Sequence, residues 1–327
     1  MDGAIPVWFE VATYVFVVAL LAVDFVVISG RPHVPSLREA AIWVGVYASI
    51  AVAFGLVLMG TAGVASGGEF FAGWLTEYSL SIDNLFVFIV LMARFAVPKK
   101  LQQEVLMVGI IIALVLRGVF ILAGAALVAN FVWIFWIFGG FLLYTAFHQA
   151  FRSSQDEEET ENKLIGFLRK RITMSQHYDG IKLRTTVEGK RMFTPMLVVF
   201  VTIAVTDVLF AFDSIPAIFG ITTNAFIVFT ANVFALMGLR QLYFLLGGLL
   251  ERLVYLKYGI AAILAFIGVK LILHALHENQ LPFINGGHPV EAAPDIPTWA
   301  SLLFIIAAMA VATIASLLRK SSPATPK

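Results

Sequence analysis

The stretch from Glu77 to Val90, EYSLSIDNLFVFIV, combines two acidic side chains with a run of residues suited to hydrocarbon. Glu77 and Asp83 stand six residues apart, inside an apolar segment that is long enough to cross a bilayer. An ionised carboxylate at the centre of a bilayer costs at least about 2.5–3.5 kcal/mol. Acids in this position therefore indicate either ion pairing within the membrane or a functional polar site.

The whole chain has the composition of a polytopic membrane protein. Of its 327 residues, 60% are hydrophobic and only 13% are charged, which is about half the charged share of an ordinary soluble domain. The net charge of +1 gives no reason to expect a nucleic-acid partner, and the absence of Cys excludes disulfides and thiol chemistry. We expect a multi-pass protein of the cell (inner or plasma) membrane, in contact with lipid, without enzymatic activity and without a bound cofactor.

Segments of spanning length predict an all-α fold with about nine transmembrane helices. These segments cover about 7–29, 40–60, 69–93, 104–129, 131–151, 194–220, 224–250, 258–276 and 298–318.

The basic residues alternate between the connections and predict the direction of every span. Of the 22 Lys and Arg, 19 fall in every second connection or in the C-terminal tail, and the intervening connections contain none. By the positive-inside rule, the N-terminus lies outside and the C-terminus in the cytoplasm. The chain then divides into a first membrane half (1–151), a charged cytoplasmic loop (152–193), a second membrane half (194–318) and a tail (319–327).

Two connections contain residues that allow more than one interpretation. The 152–193 loop, with its acidic run at 156–159, is either a solvated linker or a regulatory segment. The outer segment 274–297 holds His274, His277 and His288, which favour either a weak metal site or a plain loop rich in Pro and Gly.

The opening motif recurs in the second half as TDVLFAFDSIPA, from Thr206 to Ala217. Asp207 and Asp213 again stand six residues apart, and a small polar residue, Asn84 or Ser214, follows the second acid in each motif. The next span of each half repeats as well, from Arg-x-x-Phe in one half to Arg-x-x-Tyr in the other. We infer a duplicated unit.

The predicted topology makes this repeat inverted, because the third span runs inward and the sixth runs outward. Inverted repeats are typical of secondary transporters, which bind their substrate near the midplane where the repeats meet. Along one helix, six residues leave the two acids of a motif about 120° and about 9 Å apart. Across an inverted pair we therefore expect Glu77 beside Asp213 on the outer side, and Asp83 beside Asp207 on the inner side.

The oxygen atoms of the two motifs predict a site for a hard divalent cation such as Mg²⁺, Ca²⁺ or Mn²⁺. The candidate metal ligands are Glu77, Asp83, Asn84, Asp207, Asp213 and Ser214. We assign pathway or charge-balance roles to Asp24, Ser81, Arg117 and Arg240.

Pro216 predicts a helix break beside this site, because it cannot donate a hydrogen bond to the Phe212 carbonyl. The alternative to a cation site is structural pairing, in which Arg117 and Arg240 neutralise two of the acids. Two arginines cannot balance four carboxylates, however. For Asp24 an equally good alternative is an interfacial acid whose side chain extends to the membrane surface.

A family resemblance is carried by the motifs EYSLSIDNLFVF and DVLFAFDSIPA, by AVDFVV in the first span and by FIGVKLILH, which ends at His274. The sequence resembles the TerC family, which includes the tellurium-resistance TerC and Alx membrane proteins. The resemblance covers nearly the whole chain. It implies a nine-span protein related to LysE-type exporters, with a role in Mn²⁺ efflux, in tellurite resistance or in supplying metal to exported proteins. It also places the family's acidic positions on Glu77, Asp83, Asp207 and Asp213.

The expected function is export of divalent metal ions, with Mn²⁺ as the leading candidate. Whether export is coupled to protons is left open. Alternatives are a tellurite or oxyanion carrier with Arg117 and Arg240 as anion ligands, a Ca²⁺/H⁺ exchanger, and a scaffold that assists exported or membrane proteins without transport. An intramembrane aspartyl protease is excluded, because the sequence contains no Gly-x-Gly-Asp.

Overall fold

The structure is a computed structural model, and it describes most of the chain. The described residues are 5–30, 35–131, 133–151, 175, 177–187, 190–246, 255–279, 281–282, 284–290, 293–294 and 296–318. Within them, the side chains of residues 25–30, 83, 86, 90, 94, 187, 190, 213 and 246 are outside the description.

Helices dominate the described residues, and one short hairpin interrupts them. In chain order the elements are α1 (Val7–Gly30), α2 (Leu37–Ala62), α3 (Val64–Arg94), α4 (Lys99–Asn130), α5 (Ile134–Phe151), β1 (Arg184–Val187), β2 (Lys190–Phe193), α6 (Pro195–Phe219), α7 (Ala225–Met237), α8 (Leu239–Leu246), α9 (Leu256–His277), a 3₁₀ turn (Asn285–Gly287) and α10 (Thr298–Leu318).

Nine candidate membrane spans, judged by length and hydropathy, occur among the described residues. The predicted segment at 224–250 contains two helices, α7 and α8, which meet at Gly238 and together form one span, Ala225–Leu245. The all-α, multi-pass fold class is therefore confirmed. The inverted repeat, the orientation of the termini and the division into two membrane halves stay predictions.

Helix α3 and the α7–α8 span lie at the centre of the bundle. Few residues of the first span are buried, whereas most of the central apolar stretch of α3 and of the α7–α8 span is buried. The outer helices α1, α2 and α10 expose large apolar side chains, as lipid-facing helices do. The first acidic motif is carried by a central helix, so it lies inside the protein rather than against lipid.

The helix boundaries follow from local chemistry. Ser36 caps α2 by accepting a hydrogen bond from the Glu39 amide at 3.2 Å. Asn224 caps α7 in the same way, with bonds from the amides of Phe226 and Ile227. Pro195 occupies the first turn of α6, where its missing N–H leaves no bond unmade.

Two glycines let α5 and α9 pack closely. A Cβ at Gly139 would lie 2.7 Å from Ile272 Cγ1 and 3.0 Å from the Gly268 carbonyl oxygen. A Cβ at Gly268 would in turn lie 3.1 Å from the Gly139 carbonyl oxygen. Small residues that allow close backbone approach are a common way to join helices in membranes, where apolar burial drives association weakly.

The helix break expected at Pro216 is wrong. Helix α6 stays helical from Pro195 through Phe219, with Pro216 inside it. The proline stands three residues from the helix end, so the helix loses one backbone bond there and ends soon afterwards.

The C-terminal part of the 152–193 loop is an ordered hairpin rather than an unstructured linker. Strands β1 and β2 pair antiparallel, from Arg184 opposite Phe193 to Val187 opposite Lys190. Tyr178 and Ile181 pack against the hydrophobic core, and the Tyr178 hydroxyl donates to the Phe95 carbonyl at 2.7 Å. The acidic run at 156–159 lies outside the described residues.

Candidate ion site

Two central helices each place one motif acid near their midpoint. Glu77 lies midway along α3, and Asp207 lies midway along α6. Both side chains are buried, with 0% of Glu77 and 2% of Asp207 exposed. Because two carboxylates at this depth cannot be solvated by bulk water, their partners within the protein decide their chemistry.

Arg117 of α4 joins the two acids. Its Nη1 atom forms an ion pair with Glu77 Oε1, while its Nε and Nη2 atoms lie 3.3 and 3.2 Å from Asp207 Oδ1. Arg117 is itself 1% exposed. One guanidinium, with a single positive charge, therefore forms ion pairs with two buried carboxylates from different helices.

Polar side chains on the same face of α3 complete this cluster. Ser81 donates to Glu77 Oε1 at the long distance of 3.5 Å. Asn84, with its amide oriented to satisfy both ends, accepts from Arg117 Nη2 at 3.2 Å and donates to the Leu80 carbonyl at 3.1 Å. Residues four and seven positions after Glu77 share its face of the helix, which explains why these two side chains reach the same ion pair.

Three buried oxygen atoms in this region have no hydrogen-bond partner among the described groups: Glu77 Oε2, Asp207 Oδ2 and Ser214 Oγ. Ser214 is 1% exposed and follows Asp207 by seven residues, so both lie on one face of α6. Unpartnered buried oxygens are uncommon in proteins, since each costs about 1–3 kcal/mol. Two of the three oxygens belong to the carboxylates that share Arg117, which favours a site that accepts a cation.

The remaining motif acids lie in the same two helices. The backbones of Asp83 and Asp213 belong to α3 and α6, but their side chains are outside the described part of the structure. Their ligand roles, and the expected pairing of Glu77 with Asp213, stay predictions. Glu77 and Asp207, which we expected on opposite sides of the midplane, instead contact the same arginine. Among the described side chains, no group of three His, Asp or Glu is arranged to hold a metal ion.

Arg240 belongs to a second, separate ion pair. It contacts Asp24 with both guanidinium ends, at 3.0 Å to Oδ2 and 2.9 Å to Oδ1. The Tyr47 hydroxyl also donates to Asp24 Oδ1, at 2.8 Å, and the Gln241 amide oxygen accepts from Arg240. Asp24 therefore balances the charge of Arg240, and its side chain does not extend alone to the membrane surface. Arg240 is not the partner of a motif acid in the described contacts.

Glu69 and Thr222 form a polar contact that sequence reasoning missed. The Thr222 hydroxyl donates to Glu69 Oε2 at 2.5 Å, at the end of the bundle opposite the hairpin. Both residues line a cavity of about 470 Å³, together with Lys270 and His274. The signal available in the sequence was a third acid in α3, eight residues before Glu77.

The segment 274–297, which the sequence predicts on the outer side, is an ordered loop in its described part. Asn279 donates to the carbonyls of Ile284 and His288 at 2.6 and 3.2 Å, which closes the loop. The His274 ring packs edge-on against Phe135, with centroids 4.8 Å apart. Glu291 and Asp295 lie outside the described residues, so a metal site here stays a prediction.

The nine apolar spans found in the described part of the chain, together with the buried polar cluster, define a multi-pass integral membrane protein with charged groups in its interior. The chain belongs to the TerC family of integral membrane proteins, whose family model matches residues 62–324.

Relatives from several bacteria extend the match along the chain. An uncharacterized membrane protein of Mycobacterium tuberculosis is 48% identical over 93% of this chain and 77% of its own length. One from Myxococcus xanthus is 40% identical over 79% of this chain and 81% of its own. The Escherichia coli protein Alx is 39% identical over 79% of this chain and 84% of its own; it is named as a membrane-bound redox modulator, a role that the name itself marks as provisional. No solved structure matched the chain.

Proposed function

We propose that this protein transports divalent metal ions out of the cell, with Mn²⁺ as the preferred ion, through the cluster of Glu77, Asp207 and Arg117. The observation that carries the proposal is the incomplete bonding of this cluster. Two fully buried carboxylates share one guanidinium and keep an unpartnered oxygen each.

The charge of the two motif helices supports a cation as substrate. Helices α3 and α6 contain the four motif acids by sequence, and the described contacts give them one arginine. Arg240, the other arginine considered for charge balance, is engaged by Asp24. A region with more carboxylates than arginines attracts cations, and the low dielectric of the protein interior strengthens that attraction.

The ligand atoms support a hard cation. Carboxylate, amide and hydroxyl oxygens suit Mg²⁺, Ca²⁺ and Mn²⁺. Glu77, Asp207 and Ser214 would supply the unpartnered oxygens, and Asn84 an amide oxygen that now faces Arg117. The proposal extends the ligand set to Asp83 and Asp213. The preference for Mn²⁺, the outward direction and the kinship with LysE-type exporters rest on the family resemblance.

The alternatives fit these groups less well. An oxyanion such as tellurite would enter a region of net negative charge, where Arg117 is already occupied by two carboxylates. A redox role based on the protein's own thiols has no residue to carry it, because the sequence contains no Cys. A scaffold without transport does not require unpartnered buried oxygens. Ca²⁺/H⁺ exchange uses the same ligand chemistry and is distinguished by ion selectivity.

Ion uptake into inside-out membrane vesicles tests the proposal. We expect Mn²⁺ uptake that depends on the protein, measured across a panel of divalent ions with and without a proton gradient. Glu77→Gln and Asp207→Asn should abolish uptake, whereas Glu10→Gln, in the first turn of α1, should leave it unchanged. Tellurite flux without Mn²⁺ flux would favour the oxyanion carrier, and the absence of any flux would favour the scaffold.

A further inference from the structure

Two buried arginines occupy matching positions in the proposed repeat, yet their bonding differs. Arg240 faces a single carboxylate, Asp24, with two guanidinium nitrogens on its two oxygens, and Tyr47 adds a third hydrogen bond. Both oxygens of Asp24 are therefore satisfied. This pair is complete and needs no further ligand.

Arg117 is bonded in a different way. It contacts one oxygen of Glu77 and one oxygen of Asp207, and the second oxygen of each acid is buried without a described partner. One positive charge is spread over two carboxylates, so the group of three has a net charge of about −1 when both acids are ionised. An arrangement that served stability alone would gain from satisfying these oxygens, as the Asp24 pair does.

Stability is in any case a weak reason to bury such a cluster. A buried ion pair gains little net free energy over well-packed apolar side chains, because desolvation offsets the Coulomb attraction. Arg117 is 1% exposed and carries one positive charge. What the guanidinium can do is leave the carboxylates when another cation takes its place.

We propose that Arg117 is a tethered substitute for the transported cation. It offsets one of the two negative charges of Glu77 and Asp207 before an ion binds, and it is displaced from both acids when a divalent cation binds. The amide oxygen of Asn84, which accepts from Arg117 Nη2 at 3.2 Å, is released for the ion at the same step. This inference rests on the proposed function, because it assigns a mechanism to the same site.

The substitute role has a direct consequence for affinity. A divalent ion that binds the wild-type protein must first break the contacts of Arg117 with two carboxylates. Removing the guanidinium removes this competition, so the ion should bind more tightly. A purely structural arginine would have the opposite effect, because its loss would disturb the positions of Glu77 and Asp207.

Isothermal titration of Mn²⁺ into the purified full-length protein tests this directly. We expect Arg117→Gln to lower the Kd for Mn²⁺ by about tenfold or more. A tenfold change in Kd corresponds to only about 1.4 kcal/mol of binding free energy, which the loss of the competing guanidinium can supply. Arg117→Lys keeps the competing charge and should stay within about threefold of wild type. The matched control Arg240→Gln, at the equivalent position of the other half, should leave the Kd unchanged.

The outcomes separate this inference from the proposed function. If the wild-type protein binds no divalent ion, the proposed function fails. If wild type binds Mn²⁺ but folded Arg117→Gln binds equally or more weakly, the substitute role alone is overturned.

A measurement on the wild-type protein covers the case in which Arg117→Gln does not fold. Arginine Nε–H signals can be followed by ¹⁵N NMR during titration with a diamagnetic divalent ion such as Cd²⁺, with Arg117→Lys used for assignment. The Arg117 signal should shift and its hydrogen should exchange faster with water, while the Arg240 signal stays fixed. An Arg117 signal that does not change while the ion binds would overturn the proposal.

Discussion

Glu77 of α3 and Asp207 of α6 contact the same guanidinium, that of Arg117, deep inside the helical bundle. The two acids come from the two halves of the sequence, and each keeps one buried oxygen without a described partner. This shared contact links the two motifs. A substitution at either acid therefore changes the electrostatic environment of the other acid through Arg117.

Ser214 is expected to be a ligand, and its hydroxyl has no hydrogen-bond partner among the described groups. Ser214→Ala should therefore weaken Mn²⁺ binding about fivefold to tenfold without lowering thermal stability, because it removes an unsatisfied buried hydroxyl. Ser79→Ala is the matched control, since the Ser79 hydroxyl donates to the Leu75 carbonyl at 2.6 Å within its own helix. Equal Mn²⁺ affinities in wild type and Ser214→Ala, measured by titration calorimetry, would remove Ser214 from the ligand set.

The Asp24–Arg240 pair is expected to act on stability rather than on ion binding. Asp24→Asn leaves a mostly buried guanidinium without its counter-charge and should cost about 3 kcal/mol of unfolding free energy. Tyr47→Phe removes one hydrogen bond to Asp24 and should cost about 1 kcal/mol. Unfolding in detergent, analysed as a double-mutant cycle with Arg240→Gln, measures the coupling. Additive losses in the cycle would mean that the pair contributes no interaction energy.

Close packing of α5 on α9 is expected to depend on Gly139. Gly139→Ala would force its new methyl group against Ile272 and the Gly268 carbonyl, and should cost about 1–3 kcal/mol. Gly140→Ala is the matched control, because a Cβ at this neighbouring glycine would have no other atom within 4 Å. Replacing that glycine should be neutral or stabilise the helix by up to about 1 kcal/mol. A similar melting temperature for both variants would show that the two helices are not in close contact.

Tyr178 is expected to make the hairpin sensitive to alkaline pH. Burial raises the pKa of the Tyr178 hydroxyl above its ordinary value of 10.0. Because the folded pKa is the higher one, the stabilisation is fully present below pH 10 and is lost as pH rises through the folded pKa. Tyr178→Phe should cost about 1 kcal/mol at neutral pH, since it removes the hydrogen bond to Phe95.

The hairpin prediction is measured by limited proteolysis of residues 177–193 between pH 8 and pH 11. Wild type should become more sensitive to cleavage above pH 10, and Tyr178→Phe should lose that additional dependence. The difference between the two proteins is the informative quantity, because other tyrosines titrate in both. Identical pH profiles would show that Tyr178 does not hold the hairpin.

The helical spans could be predicted from the sequence because their signal is local. A run of about 20 apolar residues is sufficient to identify each one. The split of the seventh span at Gly238 was missed, since hydropathy does not register a break between two apolar helices. The hairpin at 184–193 was not predicted, because two strands of only four residues each, within a loop rich in charge, resemble a solvated linker.

The partners of the motif acids could not be predicted, because they depend on how helices pack. The sequence indicated that Arg117 and Arg240 were available for charge balance, but their spacing does not reveal which acid each one contacts. A usable signal was present in the seven-residue interval from Glu77 to Asn84 and from Asp207 to Ser214, which places each acid and its polar companion on one helix face.

The most direct test of the central claim is Mn²⁺ flux through the purified protein in liposomes, read with a fluorescent indicator inside the vesicles. Wild-type protein should carry Mn²⁺, and Glu77→Gln and Asp207→Asn should each reduce the flux to the level of empty liposomes while remaining folded. Unchanged Mn²⁺ flux in both variants, or no Mn²⁺ flux in wild type, would contradict a cation pathway through the Glu77–Arg117–Asp207 cluster.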